Sequence, residues 1–294
     1  MLPGLVGAAL RRLGLYARLT RMDKPIGIAL LLWPTLGALW LAAGGWPGWR
    51  NLIVFVLGTV LMRAAGCVVN DVADRRFDGH VARTAGRVLA RGELGVREAL
   101  VLAAVLAALA ALSLPLLPRA DTPLAFAAVG IAASYPYFKR FFPLPQAWLG
   151  LAFSFGIPMA YAAVQARVAP EAWVLLALNL FWVLAYDTEY AMVDRPDDLR
   201  IGIRSSAIWF GRADVLAVAL SYAVYLGGVA VFARLQGLGL PFALGWAVAL
   251  ACALLHLYWI RGRRPELCLR AFRHNHWLGL ALFLGIVADT SLRR

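Results

Sequence analysis

Asn70-Asp71-Val72-Ala73-Asp74-Arg75-Arg76-Phe77-Asp78 follows directly on an apolar run spanning residues 50–70, and that junction decides the fold. The run has the roughly 20 apolar residues that a helix needs to cross a bilayer. The acids then mark where the chain returns to water. Eight further runs read the same way, giving candidate spans at about 26–43, 50–70, 98–117, 122–138, 145–164, 170–187, 213–233, 239–260 and 275–290. The chain is 62% hydrophobic with mean hydropathy +0.72, against roughly 45–50% apolar in soluble domains. The expectation is one all-α membrane domain over residues 1–294, a polytopic bundle of nine transmembrane helices. Strands are not expected, since backbone polar groups in lipid must be satisfied internally and the runs are of helix length.

The net charge of +13 is a matter of topology, not of nucleic-acid binding, for which no recognition motif is present. The N-terminus and the connections after spans 2, 4, 6 and 8 hold 22 Lys or Arg, and the opposite side holds six. By the positive-inside rule the N-terminus is cytoplasmic, and the expected location of this multi-pass chain is the cell's inner membrane. Arg11, Arg12, Arg18, Arg21 and Lys24 precede Pro25 without a cleavable signal, as in an interfacial amphipathic helix.

Only 16 of the 294 residues are acidic, and eight of them fall in two stretches. Asp71, Asp74 and Asp78 follow span 2. Asp187, Glu189, Asp194, Asp197 and Asp198 follow span 6. Carboxylates this close repel one another unless a cation neutralises them, and Asp and Asn oxygens are hard ligands suited to Mg²⁺ bridged to phosphate. On a continued helix Asn70, Asp74 and Asp78 stack at i, i+4, i+8. Asp194 and Asp198 are four apart, but Pro196 between them argues for a bent or extended segment. Asp187 and Glu189 either support the second cluster or mark a solvated helix end. Arg63, inside span 2 and two turns before Asn70, needs an anionic partner. The same connections carry Arg75, Arg76, Arg83, Arg87, Arg91, Lys139, Arg140, Arg195, Arg200 and Arg204, a set that fits a diphosphate held between metal and arginines. Tyr135 and Lys139 share a face at the end of span 4, beside Arg140, whose planar fork suits a carboxylate. Cys67, Cys252 and Cys268 form no C-x-x-C, and no Walker A or G-x-S-x-G motif is present.

Several of these stretches resemble the UbiA membrane prenyltransferases: residues 21–27 with Trp33-Pro34-Thr35, Met62 through His80, Gly156 through Tyr161, and Tyr186 through Ser205. The similarity covers nearly the whole chain and points to the 4-hydroxybenzoate branch. It implies nine helices around a central cavity under a cytoplasmic cap. It implies Mg²⁺-dependent transfer of a polyprenyl group from polyprenyl diphosphate to carbon 3 of 4-hydroxybenzoate, in ubiquinone synthesis. Carried onto this sequence, Asn70, Asp74 and Asp78 match the first Mg²⁺–diphosphate motif, with Asp71 inside it. Asp194 and Asp198 match the second, with Arg204 downstream. Tyr135 and Lys139 match a Tyr-x-x-x-Lys element, and Arg140 the arginine assigned to the aromatic carboxylate. Asp194 is the expected acceptor of the phenol's hydrogen bond. Val88 stands where a proline is usual, and Pro196 where an aspartate is common. The prenyl tail is expected among the spans, open to membrane lipid. A related enzyme with another aromatic acceptor, or a membrane transporter, are the competing readings; a transporter would place its ionisable residues near the bilayer midplane rather than at one edge.

Overall fold

The computed structural model describes residues 2–81, 83–138 and 140–293, and among these every regular element is helical. The first is α1 (Leu2–Leu19), followed by α2 (Ile26–Ala43) and α3 (Trp49–Asp74). Next come α4 (Val96–Ala111), α5 (Asp121–Phe138), α6 (Pro145–Ser154), α7 (Gly156–Gln165) and α8 (Pro170–Ile201). The chain closes with α9 (Ser206–Phe210), α10 (Asp214–Leu235), α11 (Leu240–Ile260) and α12 (Pro265–Leu292). Each apolar run of the sequence coincides with a helix or, for residues 145–164, with a pair of them. Among the described residues, six helical stretches are long and apolar enough to cross a membrane: those starting at Ile26, Trp49, Val96, Pro145, Ser206 and Leu240.

Helix packing closes a ring. α2 lies against α3, α3 against α5, α5 against α6, α6 against α8, α8 against α10, α10 against α11, α11 against α12, and α12 returns to α2. α4 docks on α3 but is not packed closely on α5. α1 lies across the end of this bundle, with Leu15, Tyr16 and Leu19 set against Val68, Val88, Leu89 and Leu94. Arg12 and Tyr16 reach Glu98 on α4 at 2.9 and 2.5 Å, which ties α1 down.

Prolines explain two departures from the sequence reading. The single span expected over 145–164 is split at Phe155, because the ring of Pro158 removes the N–H that would bond Ser154 and crowds that carbonyl. Gly156 then brings α7 against α2 so closely that a Cβ there would lie 2.4 Å from Thr35 Oγ1. At Pro196 the bent segment is not found. α8 continues unbroken for 32 residues and ends on Gly202, whose φ of 73° lets its N–H donate to the backbone carbonyl of Asp198. Arg195 holds this stretch by donating to the Gly211 carbonyl and to Asp214, each at 3.2 Å. A helix of that length is about 48 Å long, longer than the roughly 30 Å of bilayer hydrocarbon. α5 begins at Asp121, beside the start of the run expected at about 122, and among the described residues the buried Asp121 carboxylate has no hydrogen-bond partner.

Behind α8 a second polar group is sealed from solvent. Glu189 is not at a solvated helix end: it is 0% exposed and accepts from Tyr222 Oη and Asn275 Nδ2, both at 2.8 Å. The Tyr222 hydroxyl also lies 3.0 Å from His256 Nδ1, and His256 Nε2 lies 3.0 Å from His274 Nδ1. Trp182 donates to Asn275 at 2.9 Å and stacks on Tyr225. This network welds α8 to α10, α11 and α12, and it fixes which face of α8 turns inward.

Candidate active site

That inward face borders a cavity of about 1030 Å³. Its mouth is charged. Asn70, Asp71, Asp74 and Asp78 line one wall, and Asp187, Asp194 and Asp198 line the opposite one. Its depth is apolar, walled by Val54, Phe55 and Met62 of α3, Ala107 and Ala110 of α4, Ala128 and Ala132 of α5, and Phe153 and Met159 of α6 and α7. Residues of both α4 and α5 border this depth although the two helices scarcely touch. The two acidic clusters, 124 residues apart in sequence from Asn70 to Asp194, are thus walls of one chamber.

The first cluster reaches the cavity by two devices. Asn70, Asp71 and Asp74 sit on the last turns of α3, which stops at Asp74. Asp78 is therefore not the third step of a continuous helical stack; a short 3-10 turn (Asp78–His80) delivers it, with its carbonyl accepting from Thr84 Oγ1 at 2.8 Å. Asp194 and Asp198 lie one turn apart on α8 and both face the cavity, as their spacing requires.

Arginines hold these carboxylates. Arg21 donates to both Asp71 oxygens at 2.8 and 2.9 Å. Arg87 spans Asp78, at 2.8 Å, and Asp71, at 3.1 Å. Arg83 crosses the mouth to fork Asp194, with Nε at 2.8 Å from Oδ1, and lies over the Tyr190 ring. Burial pushes the Asp78 carboxyl up, against the pull of the Arg87 guanidinium. For Arg87 burial works downward, but Asp71 and Asp78 outweigh it and hold the guanidinium raised. These are charge-assisted pairs, and a phosphate can take a carboxylate's place as the partner of a guanidinium.

The other expected residues divide. Arg63, Tyr135 and Arg204 line the cavity, Arg204 at the rim with its guanidinium on the Phe141 carbonyl. Arg140 does not line it: its guanidinium donates to the Ala73 carbonyl at 3.1 Å and sits between the Phe77 and Tyr137 rings. Lys139 lies outside the described residues. Arg63 is set deeper, where Nη1 donates to Cys67 Sγ at 2.8 Å and the guanidinium lies 5.5 Å from the centre of the Phe153 ring. Its buried Nε has no hydrogen-bond partner, and among the described residues no carboxylate pairs with it. Arg21, Lys24, Gln146 and Tyr186 also line the chamber and were not singled out from the sequence. Arg21 carried a signal, since it begins the Arg21–Gly27 stretch of the resemblance; its φ of 61° is unusual for a side-chain-bearing residue and suits a constrained site.

Bilayer-length apolar helices around a chamber that is charged at its mouth and apolar in its depth define a multi-pass membrane protein built for an amphiphile with an anionic head. The chain belongs to the UbiA prenyltransferase family, whose profile matches residues 31–279. It is 59% identical over 279 residues to the 4-hydroxybenzoate octaprenyltransferase of Azoarcus sp. (strain BH72), covering 95% of this chain and 97% of that one. It is 58% identical to the protein of the same description from Aromatoleum aromaticum (strain DSM 19018 / LMG 30748 / EbN1), covering 95% of each. The apo structure of a UbiA homolog from Aeropyrum pernix K1 superposes with a TM-score of 0.79 at 25% identity, over 90% of this chain and 97% of that one. A UbiA homolog from Archaeoglobus fulgidus bound to GPP and Mg²⁺ has the same fold, with a TM-score of 0.71 at 19% identity over 93% of this chain and 99% of that one.

Proposed function

We infer that the chain transfers a polyprenyl group from its diphosphate to 4-hydroxybenzoate, the aromatic step that ubiquinone synthesis requires. The observation that carries this reading is the single chamber: both acidic clusters flank its mouth, and an apolar depth leads away from them. Relatives at 58–59% identity along nearly the whole chain bear that activity in their names. Nine membrane crossings, with α6 and α7 together making one, put the charged mouth at the cytoplasmic face of the inner membrane and the connection between α3 and α4 over it as a cap. The 22-to-6 division of Lys and Arg supports that orientation.

The donor set fits Mg²⁺. Asn70, Asp74 and Asp78 on one wall, with Asp194 and Asp198 on the other, offer only hard oxygen ligands. Mg²⁺ is normally held by one or two carboxylates plus substrate phosphate, which such a donor set can provide. When bound, the metal offsets charge that grows on the diphosphate as the allylic C–O bond breaks.

The remaining work falls to the chain's own side chains. Arg21, Arg83 and Arg87 release their carboxylates and grip phosphate oxygens in exchange, so the site loses no cation when the donor arrives. The diphosphate leaves with the bonding electron pair. The allylic carbon is then attacked by carbon 3 of the acceptor, ortho to the phenol, and the ring proton passes to the departing diphosphate. Asp194 accepts a hydrogen bond from the phenol and raises the ring's electron density. Phe153, Met159 and the α3 wall keep water from the electrophile. The acceptor's carboxylate falls to Arg63, the buried cation without a carboxylate partner, in preference to Arg140 at the surface. The tail leaves between α4 and α5.

The test is mass spectrometry of products from 4-hydroxybenzoate and prenyl diphosphates of several lengths, with and without EDTA. A C-prenylated hydroxybenzoate that disappears with EDTA is expected. Donor consumption without that product would overturn the assignment.

A further inference from the structure

Arg63 is seated by a residue that has no side chain. Gly27 is the second residue of α2 and lines the cavity opposite Arg63. A Cβ built on it would stand 2.8 Å from Nη2, 2.9 Å from Nε and 3.2 Å from Cζ of Arg63. The guanidinium therefore rests on the bare backbone of α2, with Cys67 Sγ accepting from Nη1 on one side and the Phe153 ring on the other. The backbone does not demand glycine there, because Gly27 is not among the positive-φ residues. What glycine supplies at this position is the close approach of the guanidinium.

We propose that Gly27 is a positioning residue for acceptor recognition, setting the depth and plane of the Arg63 guanidinium against which a planar aromatic carboxylate docks. The inference rests on the reading that Arg63 grips that carboxylate. A guanidinium recognises a carboxylate through two parallel N–H···O bonds, so its orientation matters as much as its charge. A methyl group at position 27 collides only with the far end of a flexible side chain. Arg63 would swing aside while the helix stays in place, and the acceptor would meet a tilted fork. The donor, held by Arg21, Arg83, Arg87 and the acidic walls, would be unaffected.

The test uses full-length protein in nanodiscs with 4-hydroxybenzoate and geranyl diphosphate, comparing Gly27→Ala, Arg63→Ala, Arg63→Lys and the Gly27→Ala/Arg63→Lys pair. Gly27→Ala is expected to raise the acceptor KM about tenfold or more, the equivalent of losing one charge-assisted hydrogen bond. Donor KM should stay within about twofold and the melting temperature should not fall, since alanine is the better helix former. On the Arg63→Lys background the same substitution should add nothing, because a lone ammonium has no plane to tilt. If Gly27→Ala leaves the acceptor KM unchanged while Arg63→Ala raises it, Gly27 has no such role and the carboxylate assignment stands. If Arg63→Ala also leaves it unchanged, that assignment falls and takes the inference with it. Equal losses in both KM values and in stability would reveal a packing role and overturn the proposal as well.

Discussion

Arg83 and Asp194 clasp each other across the mouth of the cavity, joining the connection after α3 to the last turns of α8. In this arrangement Arg83 occupies the carboxylate that a diphosphate-bound cation would need. Removing it frees Asp194 and simultaneously deletes a phosphate-gripping cation. For Arg83→Ala, Mn²⁺ binding to the donor-free protein, followed by electron paramagnetic resonance, should tighten. The KM for prenyl diphosphate should rise about tenfold, the scale of one charge-assisted hydrogen bond. Weaker Mn²⁺ binding in the variant would contradict the exchange.

Asp74 and Asp194 stand on opposite walls of the chamber. Asp74→Asn and Asp194→Asn keep side-chain volume but remove a charge from each proposed ligand set. Both should lose Mg²⁺-dependent turnover by more than about a hundredfold, with elution volume and melting temperature close to wild type. Unchanged turnover in either variant would remove that residue from the metal-binding assignment.

The two arginines considered for the carboxylate are separated by depth. Arg63→Ala is expected to raise the KM for 4-hydroxybenzoate by about ten- to a hundredfold. Arg140→Ala, whose guanidinium rests on the Ala73 carbonyl outside the chamber, should change it by less than about threefold, as for an exposed cation. Steady-state kinetics with the donor saturating will separate the two; a larger effect at Arg140 would return the carboxylate to the surface site.

Behind α8, Tyr222→Phe leaves Glu189 and His256 each short of a hydrogen-bond partner. The expected loss is about 1–3 kcal/mol of stability, read as a lower melting temperature in detergent. The acceptor and donor KM values should hold. An unchanged melting temperature would mean that the network does not carry the packing of α8 on α10 and α12.

Ala132 on α5 borders the apolar depth of the chamber. Ala132→Phe should lower kcat/KM for octaprenyl diphosphate more than for geranyl diphosphate, because a bulky ring narrows the path of a long tail while leaving its head free. Equal effects on both donors would place the tail elsewhere.

Much of this architecture was legible in one sequence because hydrophobic runs and charge asymmetry are local quantities. The all-helical membrane bundle and the pairing of the two acidic clusters came from run lengths and from which ends of the runs carry acids. Pairings made across the fold were not legible. Nothing local says that Arg21 holds Asp71, or that Arg83 reaches an aspartate 111 residues away. Prolines misled in both directions. Pro158 splits a run that reads as continuous, while Pro196 leaves α8 unbroken where a bend was expected, since Arg195 and the Gly202 cap hold the helix on either side. The sealed environment of Glu189 was equally invisible, because its partners come from α10 and α12.

The loose seam between α4 and α5 carries a consequence for kinetics. A donor that enters sideways from the bilayer is encountered in two dimensions, so its mole fraction in the lipid, not its bulk molarity, is the variable that saturates the enzyme. Diluting the same amount of donor with extra lipid would slow the reaction with every aqueous concentration held constant. The acceptor, arriving from water at the charged mouth, would show no such dependence. On the proposed entry route, the two substrates of one chamber obey concentration laws of different dimension.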